Sequence, residues 1–403
     1  MNLPIFQVDR HVSANRAAID AALARVLDSA HFILGPEVEQ LEAELAAYVR
    51  VPFCVAVANG TDALQLALRA LEIGPGDEVI TTPFSWISSA EAICLVGATP
   101  VFVDIDRRTF LLDVDAVSRK ISARTRAVIA VSLFGQMPDL ARLASVLDAA
   151  QCAGRAKIAL IEDGAQSFGA SREGHMSCGW PGSIGCTSFF PTKPLGCLGD
   201  GGAVFTDDKL IYDRLRMLRQ HGKDAATGAH LIVGTNSRLD ALQAAVLREV
   251  LRKFPDDRAA RMHVAAKYNA EFKLNERLVV PELEPLITSA AHPPALGTTE
   301  HVYGVYTLRL ADFSDGSPEP QLRDHIVAAL KARGVGTAVY YPIGFFDQPV
   351  FQQLTLNAED FPNTVSATHT VFSIPIGSHM TDAEIEFVTK AVQESVRSVM
   401  QQT

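Results

Sequence analysis

Short apolar runs alternate with longer stretches of helical character between residues 51 and 206. The runs are rich in β-branched residues, as in buried strands, and cover 52–58, 78–82, 100–105, 126–135 and 157–163. Segments with helical character separate them, at 62–71, 88–96 and 138–150. This alternation predicts an α/β fold around a mainly parallel sheet, with helices on both faces.

An amphipathic helix is predicted ahead of the first strand. Pro36 suits the first position of a helix, and Val38, Leu41, Leu45 and Tyr48 then fall on one face. By contrast, the segment 62–71 is apolar almost all round, which predicts a buried helix.

A different pattern follows residue 236 and predicts a second unit. A helical stretch runs to about Leu274, with a break expected near Pro255. The rest of the chain predicts strands at 303–310 and 336–341 and helices at 321–333 and 381–396. It also contains two loops rich in Pro, Gly, Ser and Thr, at 286–301 and 311–320. We therefore expect a large domain at 1–250 and a smaller C-terminal α+β domain at 251–403. The N-terminal segment is expected to pack on the smaller one.

Composition and charge argue against several classes of function. The chain has 403 residues and a net charge of −10, which argues against nucleic-acid binding because that needs a basic face. No apolar run is long enough to cross a membrane, and the first residues lack a signal-peptide core. The six cysteines form no C-x-x-C pair and no His cluster has metal-site spacing, so no metal is expected. We expect a cytoplasmic protein.

The segment 187–206, TSFFPTKPLGCLGDGGAVFT, carries one lysine between two prolines. Pro191 and Pro194 stiffen the backbone around Lys193, and the glycines that follow permit a sharp return of the chain. A lysine that forms a Schiff base must be held rigidly and partly desolvated, so that its amine loses its proton near neutral pH. A solvated lysine in a surface hairpin is the alternative for this segment taken alone.

A second segment, KIALIEDGAQSFGA at 157–170, ends an apolar strand in two carboxylates. Ligands of open α/β sheets bind beyond the carboxyl ends of strands. Asp163 there would keep a pyridinium nitrogen protonated, and Gln166 would reach a ring hydroxyl. An ordinary helix cap is the alternative interpretation of Asp163.

Two further segments follow predicted strands. In ANGTDALQLAL, Gly60 and Thr61 lead directly into a helix, whose first N–H groups and dipole suit a phosphate. A plain strand-to-helix connection is the alternative. Trp86, in PFSW, could stack on a bound ring. No dinucleotide fingerprint, phosphate loop or nucleophile elbow is present.

Together these segments resemble the DegT/StrS-type nucleotide-sugar aminotransferases, which are pyridoxal 5'-phosphate (PLP) enzymes of fold type I. The resemblance covers nearly the whole chain, including FILGPEVEQLEAELAAYV (32–49), VGTNSRLDALQAAVL (233–247) and YYPIGFFDQPVF (340–351). It implies a large α/β/α domain, a smaller C-terminal domain, and a homodimer with shared active sites. Pyridoxamine 5'-phosphate would be the form of the cofactor between the two half-reactions.

The resemblance also implies roles for individual residues. Lys193 matches the Schiff-base lysine, which also shuttles the proton, and Asp163 matches the partner of the pyridine nitrogen. The matches to cofactor-binding positions are Gly60, Thr61, Trp86, Gln166, Ser188 and, from the neighbouring subunit, Asn236. Arg238, Tyr340 and Tyr341 match substrate-binding positions, although many members have His-Tyr-Pro where this chain has Tyr340-Tyr341-Pro342.

Within the family, FFPTKPLGC and LFGQ (133–136) look most like the 3-aminotransferases for UDP-2-acetamido-3-keto-hexuronic acid. That similarity implies L-glutamate as amino donor and a role in O-antigen or lipopolysaccharide synthesis. A C4-keto or dTDP-3-keto-6-deoxy sugar is the alternative substrate. A PLP dehydratase is disfavoured because Lys193 is present and no iron–sulfur cysteine cluster is found; a non-catalytic PLP or sugar-nucleotide sensor is a third alternative.

Overall fold

Twelve strands lie in the part of the chain that the computed structural model describes, namely residues 1–152, 157–283, 299–311 and 320–401. In chain order they are β1 (Phe53–Val57), β2 (Glu78–Thr81), β3 (Thr99–Phe102), β4 (Thr125–Val131), β5 (Ala159–Asp163), β6 (Ser171–Arg172), β7 (His175–Met176), β8 (Ile184–Ser188), β9 (Gly202–Thr206), β10 (Leu278–Val279), β11 (Tyr306–Leu310) and β12 (Val371–Ile374). Most of the predicted loops at 286–301 and 311–320 falls outside the described residues.

Eleven α-helices accompany these strands within the described ranges. They are α1 (Val8–Ser29), α2 (Pro36–Val49), α3 (Gly60–Ala70), α4 (Ser88–Leu95), α5 (Val114–Lys120), α6 (Leu140–Cys152), α7 (Lys209–Leu218), α8 (Ala241–Phe272), α9 (Pro320–Ala332), α10 (Pro362–Thr370) and α11 (Asp382–Met400). The helix predicted from Pro36 is confirmed, with Val38, Leu41 and Leu45 buried on its inner face. No helix in the described residues is both long and apolar enough to cross a membrane.

Seven strands form one sheet in the order β1-β9-β8-β5-β4-β2-β3. Strand β9 runs antiparallel to both of its neighbours, and the other pairs are parallel. Side chains of α3, α4 and α7 fill a core on one face, and those of α2, α5, α6 and α8 fill a core on the other. The predicted α/β fold with a mainly parallel sheet is therefore confirmed.

A smaller antiparallel sheet, β10-β11-β12, has its own core with α9 and α11. Leu3 is buried in this core and pairs with Val335, so the N-terminal segment crosses to the smaller sheet. Helix α8 belongs to both cores, because its first half packs under the large sheet and its second half packs on the small one. The division at residue 250 stays a prediction.

Two predicted elements are wrong. The helix predicted to break near Pro255 is continuous, and α8 runs 32 residues through that proline. A proline inside a helix removes one backbone donor, and here buried residues on both sides, Phe254 and Val264 among them, hold the helix in place. The predicted strand at 336–341 is reduced to one bridge between Ala338 and Ser373.

Candidate active site

A cavity of about 630 Å³ opens beyond the carboxyl ends of the central strands, where open α/β sheets bind their ligands. Nine of the eleven residues predicted for the site line it: Gly60, Thr61, Trp86, Asp163, Gln166, Ser188, Lys193, Tyr340 and Tyr341. The fold therefore brings together segments that lie up to 281 positions apart in the chain.

Lys193 reaches the cavity from the turn after β8. Its backbone N–H donates to the Phe190 carbonyl at 2.8 Å, which closes the turn between the two prolines. The protein around the amine lowers the pKa of Lys193, because removal of water disfavours the ammonium form, and the nearby Asp163 carboxylate opposes this shift. A lysine in such surroundings is a candidate nucleophile and proton carrier.

Asp163 faces the same cavity from the end of β5 and is 6% exposed. The Ser89 hydroxyl donates to its Oδ2 at 2.7 Å, and the Ala165 N–H donates to its Oδ1 at 3.2 Å. Burial raises the pKa of Asp163, whereas these two donors and Lys193 oppose the rise. A cationic ring nitrogen at this carboxylate would supply the counter-charge that favours its ionised form.

The neighbouring carboxylate, Glu162, lies outside the cavity and is fully buried. Ser132 and Ser177 hydroxyls donate to its Oε1 at 2.7 Å each, and the Cys178 N–H donates to Oε2 at 2.8 Å. Burial raises the pKa of Glu162 against the effect of these donors. Three donors that fix Glu162 also fix the end of β5, which bears Asp163.

The start of α3 forms another part of the cavity wall. The Asn59 side chain caps the helix by accepting from the Asp62 N–H at 2.8 Å. Gly60 lies so close to the end of β8 that a Cβ there would be 2.8 Å from Ser188 Cβ. The Thr61 and Ser88 hydroxyls are 2.7 Å apart. N–H groups at the helix start and three hydroxyl side chains suit a bound phosphate.

Aromatic and amide side chains complete the wall. Trp86 is 59% exposed although it lines the cavity, so its ring is available for stacking. The Gln166 amide accepts from the Phe134 N–H at 2.8 Å and donates to the Tyr341 hydroxyl at 3.0 Å. Burial raises the pKa of Tyr341 well above its ordinary range, so this hydroxyl stays protonated.

Two predicted residues, Asn236 and Arg238, do not line the cavity of their own chain. Asn236 is exposed and pairs with Gln220 through a backbone bridge. Arg238 is half-buried, and its Nε is buried without a hydrogen-bond partner. Their predicted contact with a neighbouring subunit stays a prediction.

Several cavity residues were missed by sequence reasoning. Ser88 lines the cavity and lies in a segment for which only a helix was predicted, and Asn59 directly precedes Gly60. The adjacent Ser89 was missed as well; it donates to Asp163 without lining the cavity. Phe6, from the N-terminal segment, and Asp200 also line the cavity. The serine pair directly after PFSW could have suggested hydroxyls at a strand end, but nothing in the sequence connects Phe6 with Lys193.

These residues fit a pyridoxal-type cofactor. A lysine and a buried carboxylate face one cavity, an exposed indole lies on its wall, and a glycine at a helix start leaves room that a Cβ would fill. The fold and the site together define an α/β enzyme built around such a cofactor.

The chain belongs to the DegT/DnrJ/EryC1/StrS aminotransferase family, whose model matches residues 14–393. It is 41% identical over 374 residues to the UDP-2-acetamido-2-deoxy-3-oxo-D-glucuronate aminotransferase of Pseudomonas aeruginosa. That alignment covers 93% of this chain and 95% of the relative. The family confirms the predicted resemblance and the predicted enzyme class, an aminotransferase.

Solved structures agree with this assignment. DesV from S. venezuelae, in complex with a ketimine intermediate, superposes with a TM-score of 0.88 at 36% identity and 98% coverage of both chains. NtdA from Bacillus subtilis, with bound cofactor PMP, superposes with a TM-score of 0.84 at 25% identity, covering 98% of this chain and 85% of NtdA. These relatives confirm the fold class and agree with the predicted cofactor.

Proposed function

We propose that this chain is a PLP-dependent aminotransferase that moves an amino group from L-glutamate to the C3 ketone of a UDP-2-acetamido-3-keto-hexuronic acid. This proposal rests mainly on one observation. Asp163 ends β5, Lys193 lies in the turn after the adjacent parallel strand β8, and both face one cavity. The hexuronic acid is supported by the 41% identity to the P. aeruginosa enzyme. The product would serve the synthesis of a surface polysaccharide such as O-antigen.

Each side chain around the cavity has a separate proposed role in the reaction. When bound, the cofactor supplies the carbonyl carbon that carries the amino group and the ring that accepts electron density. The Lys193 amine, its pKa lowered, takes the proton from the α carbon of the donor and later delivers a proton to the sugar. Asp163 would keep a proton on the ring nitrogen, Trp86 would stack on the ring, and Gly60 with Thr61 would hold the phosphate.

A spectroscopic experiment tests this reaction. L-Glutamate should shift the cofactor's visible absorption to that of the pyridoxamine form, and the keto-sugar should restore it, because an aminotransferase works in two half-reactions. Lys193→Ala should abolish both shifts, whereas Lys209→Ala, at an exposed lysine paired with Asp213, should leave them intact. No shift in the wild type would favour a sensor, and a deoxygenated sugar product would show a dehydratase.

The choice of sugar is tested separately. The kcat/KM values for UDP-3-keto-hexuronate, dTDP-3-keto-6-deoxy and C4-keto sugars should favour the hexuronate by at least about tenfold, since a site that pairs a carboxylate rejects analogues without it. Equal or better turnover of a C4-keto or dTDP-linked sugar would exclude the proposed substrate while leaving the aminotransferase reaction intact.

We also propose a homodimer in which a second copy completes the site. Both substrates bring carboxylates, yet among the described residues that line the cavity Lys193 is the only cation, beside Asp62, Asp163 and Asp200. Arg238, with its unpaired Nε, is our candidate for the missing positive charge, and Asn236 is our candidate for a phosphate contact. Both would come from the neighbouring subunit. All six cysteines are free thiols, which agrees with the proposed cytoplasmic location.

Mixed dimers test the shared site. Lys193→Ala and Arg238→Ala should each be inactive, but co-refolded together they should regain about a quarter of wild-type activity, because half of the dimers are hybrids with one intact site. No recovery in hybrids of demonstrated composition would mean that each chain supplies both residues to its own site, and would contradict the proposal.

A further inference from the structure

Three side chains from distant parts of the chain meet behind the turn that carries Lys193. His11 lies on α1, Asp257 on α8, and His379 on the loop between β12 and α11. The Nδ1 of His11 is 3.7 Å from one Asp257 oxygen, and the Nε2 of His379 is 3.9 Å from the other. All three candidate ligand atoms lie within 4.8 Å of one another.

These separations are too long for hydrogen bonds but close to those between ligands of one metal ion. Bond lengths of about 2.0–2.2 Å place two ligands of a tetrahedral zinc ion roughly 3.3–3.6 Å apart, so small side-chain rotations would suffice. In addition, Nε2 of His379 is buried and has no hydrogen-bond partner. A buried ring nitrogen without a partner is costly unless something binds it.

The donor atoms of the cluster select the kind of ion. The cluster offers two imidazoles and one carboxylate. A single carboxylate is a poor site for Ca²⁺ or Mg²⁺, which need several oxygens. Two imidazoles instead suit a borderline-soft ion such as Zn²⁺.

Space is available for a fourth ligand. A cavity of about 50 Å³ is lined by both histidines, Arg261 and the back of the Lys193–Pro194 turn. That volume accommodates a water molecule. Three protein ligands and one water would complete a tetrahedral zinc site.

We propose that His11, Asp257 and His379 bind one zinc ion, which links α1, α8 and the loop before α11 behind the lysine turn. The site is distinct from the cofactor cavity and takes no part in the transfer of the amino group. Sequence reasoning, which expected no metal, missed it because the three ligands are separated by 246 and 122 positions.

The test is equilibrium dialysis of tag-free holoenzyme, freed of excess PLP, against limiting Zn²⁺, with metal determined by mass spectrometry. The wild type should bind about one zinc per chain, and excess Mg²⁺ should not displace it. Asp257→Asn and His379→Ala should each lower zinc affinity at least about tenfold, because each loses a ligand. His263→Ala, an exposed histidine on the same helix, is the matched control and should bind as the wild type does.

Substituted Co²⁺ gives an independent measurement on the unmodified chain. Intense visible d–d bands at wavelengths beyond the cofactor's absorption would report a four-coordinate site even if a variant failed to fold. Absence of bound zinc in the wild-type holoenzyme, or equal zinc content in folded variants with normal cofactor spectra, would overturn the proposal.

Discussion

Asp163 shows how a single carboxylate is prepared for its proposed role. It is buried, so its pKa is raised, whereas the Ser89 hydroxyl, the Ala165 N–H and Lys193 favour its ionised form. The Ser85 hydroxyl oxygen lies 3.0 Å from the Ser89 hydroxyl oxygen, so the two serines form a hydrogen bond next to Asp163. The balance between burial and these donors decides whether the ring nitrogen of the cofactor has a counter-charge.

Removing the Ser89 hydroxyl tests this balance. A hydrogen bond to a charged group contributes about 1.5–3 kcal/mol, so Ser89→Ala should lower kcat roughly tenfold or more. Because the pKa of Asp163 should rise further, the acid limb of the kcat–pH profile should move to higher pH. Ser118→Ala, which removes an exposed hydroxyl on α5, serves as control. An unshifted profile would mean that Ser89 does not act through Asp163.

Gly164 directly follows Asp163 and packs tightly against Cys178. A Cβ at this position would lie 2.4 Å from Cys178 Sγ, so the glycine and the cysteine depend on each other. Gly164→Ala should destabilise the protein by about 1–3 kcal/mol through overpacking. Combining it with Cys178→Ala should recover part of that loss, since the clashing atom is gone. Urea unfolding of the single and double variants measures this coupling, and strictly additive effects would contradict it.

Lys193, Asp163 and seven other residues of the cavity wall could be predicted from the sequence, most of them because they belong to short motifs at strand ends. Ser89 and Phe6 were not predictable in the same way. Their roles depend on contacts between segments that are distant in the chain, and a local sequence pattern does not predict such contacts. In the same way, only the packed structure shows that Cys178 occupies the space beside Gly164.

At the level of elements, the close approach of α3 and β8 forms the proposed phosphate site. Gly60→Ala would place a Cβ 2.8 Å from Ser188 Cβ and force the two elements apart. We therefore expect a weakened hold on PLP, measured as a raised Kd by fluorescence titration. Gly74→Ala is the control, because its Cβ would have only one neighbour, at 3.6 Å. Equal Kd values for both variants would show that the approach is not needed for cofactor binding.

The parallel strands were predicted within a few residues because strands buried on both faces are continuous apolar runs. Helix α8 was predicted less well, since a proline is usually a sign of a helix end. Packing of both halves of α8 into two different cores outweighs that local preference. The strand predicted at 336–341 was wrong because local preference was not supported by pairing. Its residues favour a strand, but Ala338 alone forms a bridge, with Ser373.

On the scale of the whole molecule, one ion pair joins the two ends of the chain. Arg10 on α1 donates to both oxygens of Glu384 on α11, at 2.8 and 2.5 Å. Arg10 and the Thr381 cap lower the pKa of Glu384 to about 2 from its ordinary value of 4.5. A carboxylate with a lowered folded-state pKa stabilises the fold above its unfolded pKa, and this stabilisation is lost as pH falls through the folded value.

Glu384→Gln isolates this charge, because glutamine can still serve in the capping box. The variant should have a lower urea midpoint than the wild type at pH 7, and the difference should shrink as pH falls from about 4.5 towards 2. Glu386→Gln, at an exposed position on the same helix, should show neither effect. A difference that persists unchanged at pH 3 would assign the loss to packing rather than to charge.

The position of Trp86 also gives the molecule an optical reporter. The chain has two tryptophans, and Trp180 is half-buried beside His175, away from the cavity. Emission from Trp86 would be quenched by energy transfer to a stacked chromophore that absorbs at the emission wavelength, and more strongly than emission from Trp180, which is farther away. The fluorescence of the unlabelled protein can therefore follow the arrival and departure of ligands at one wall of the cavity in real time.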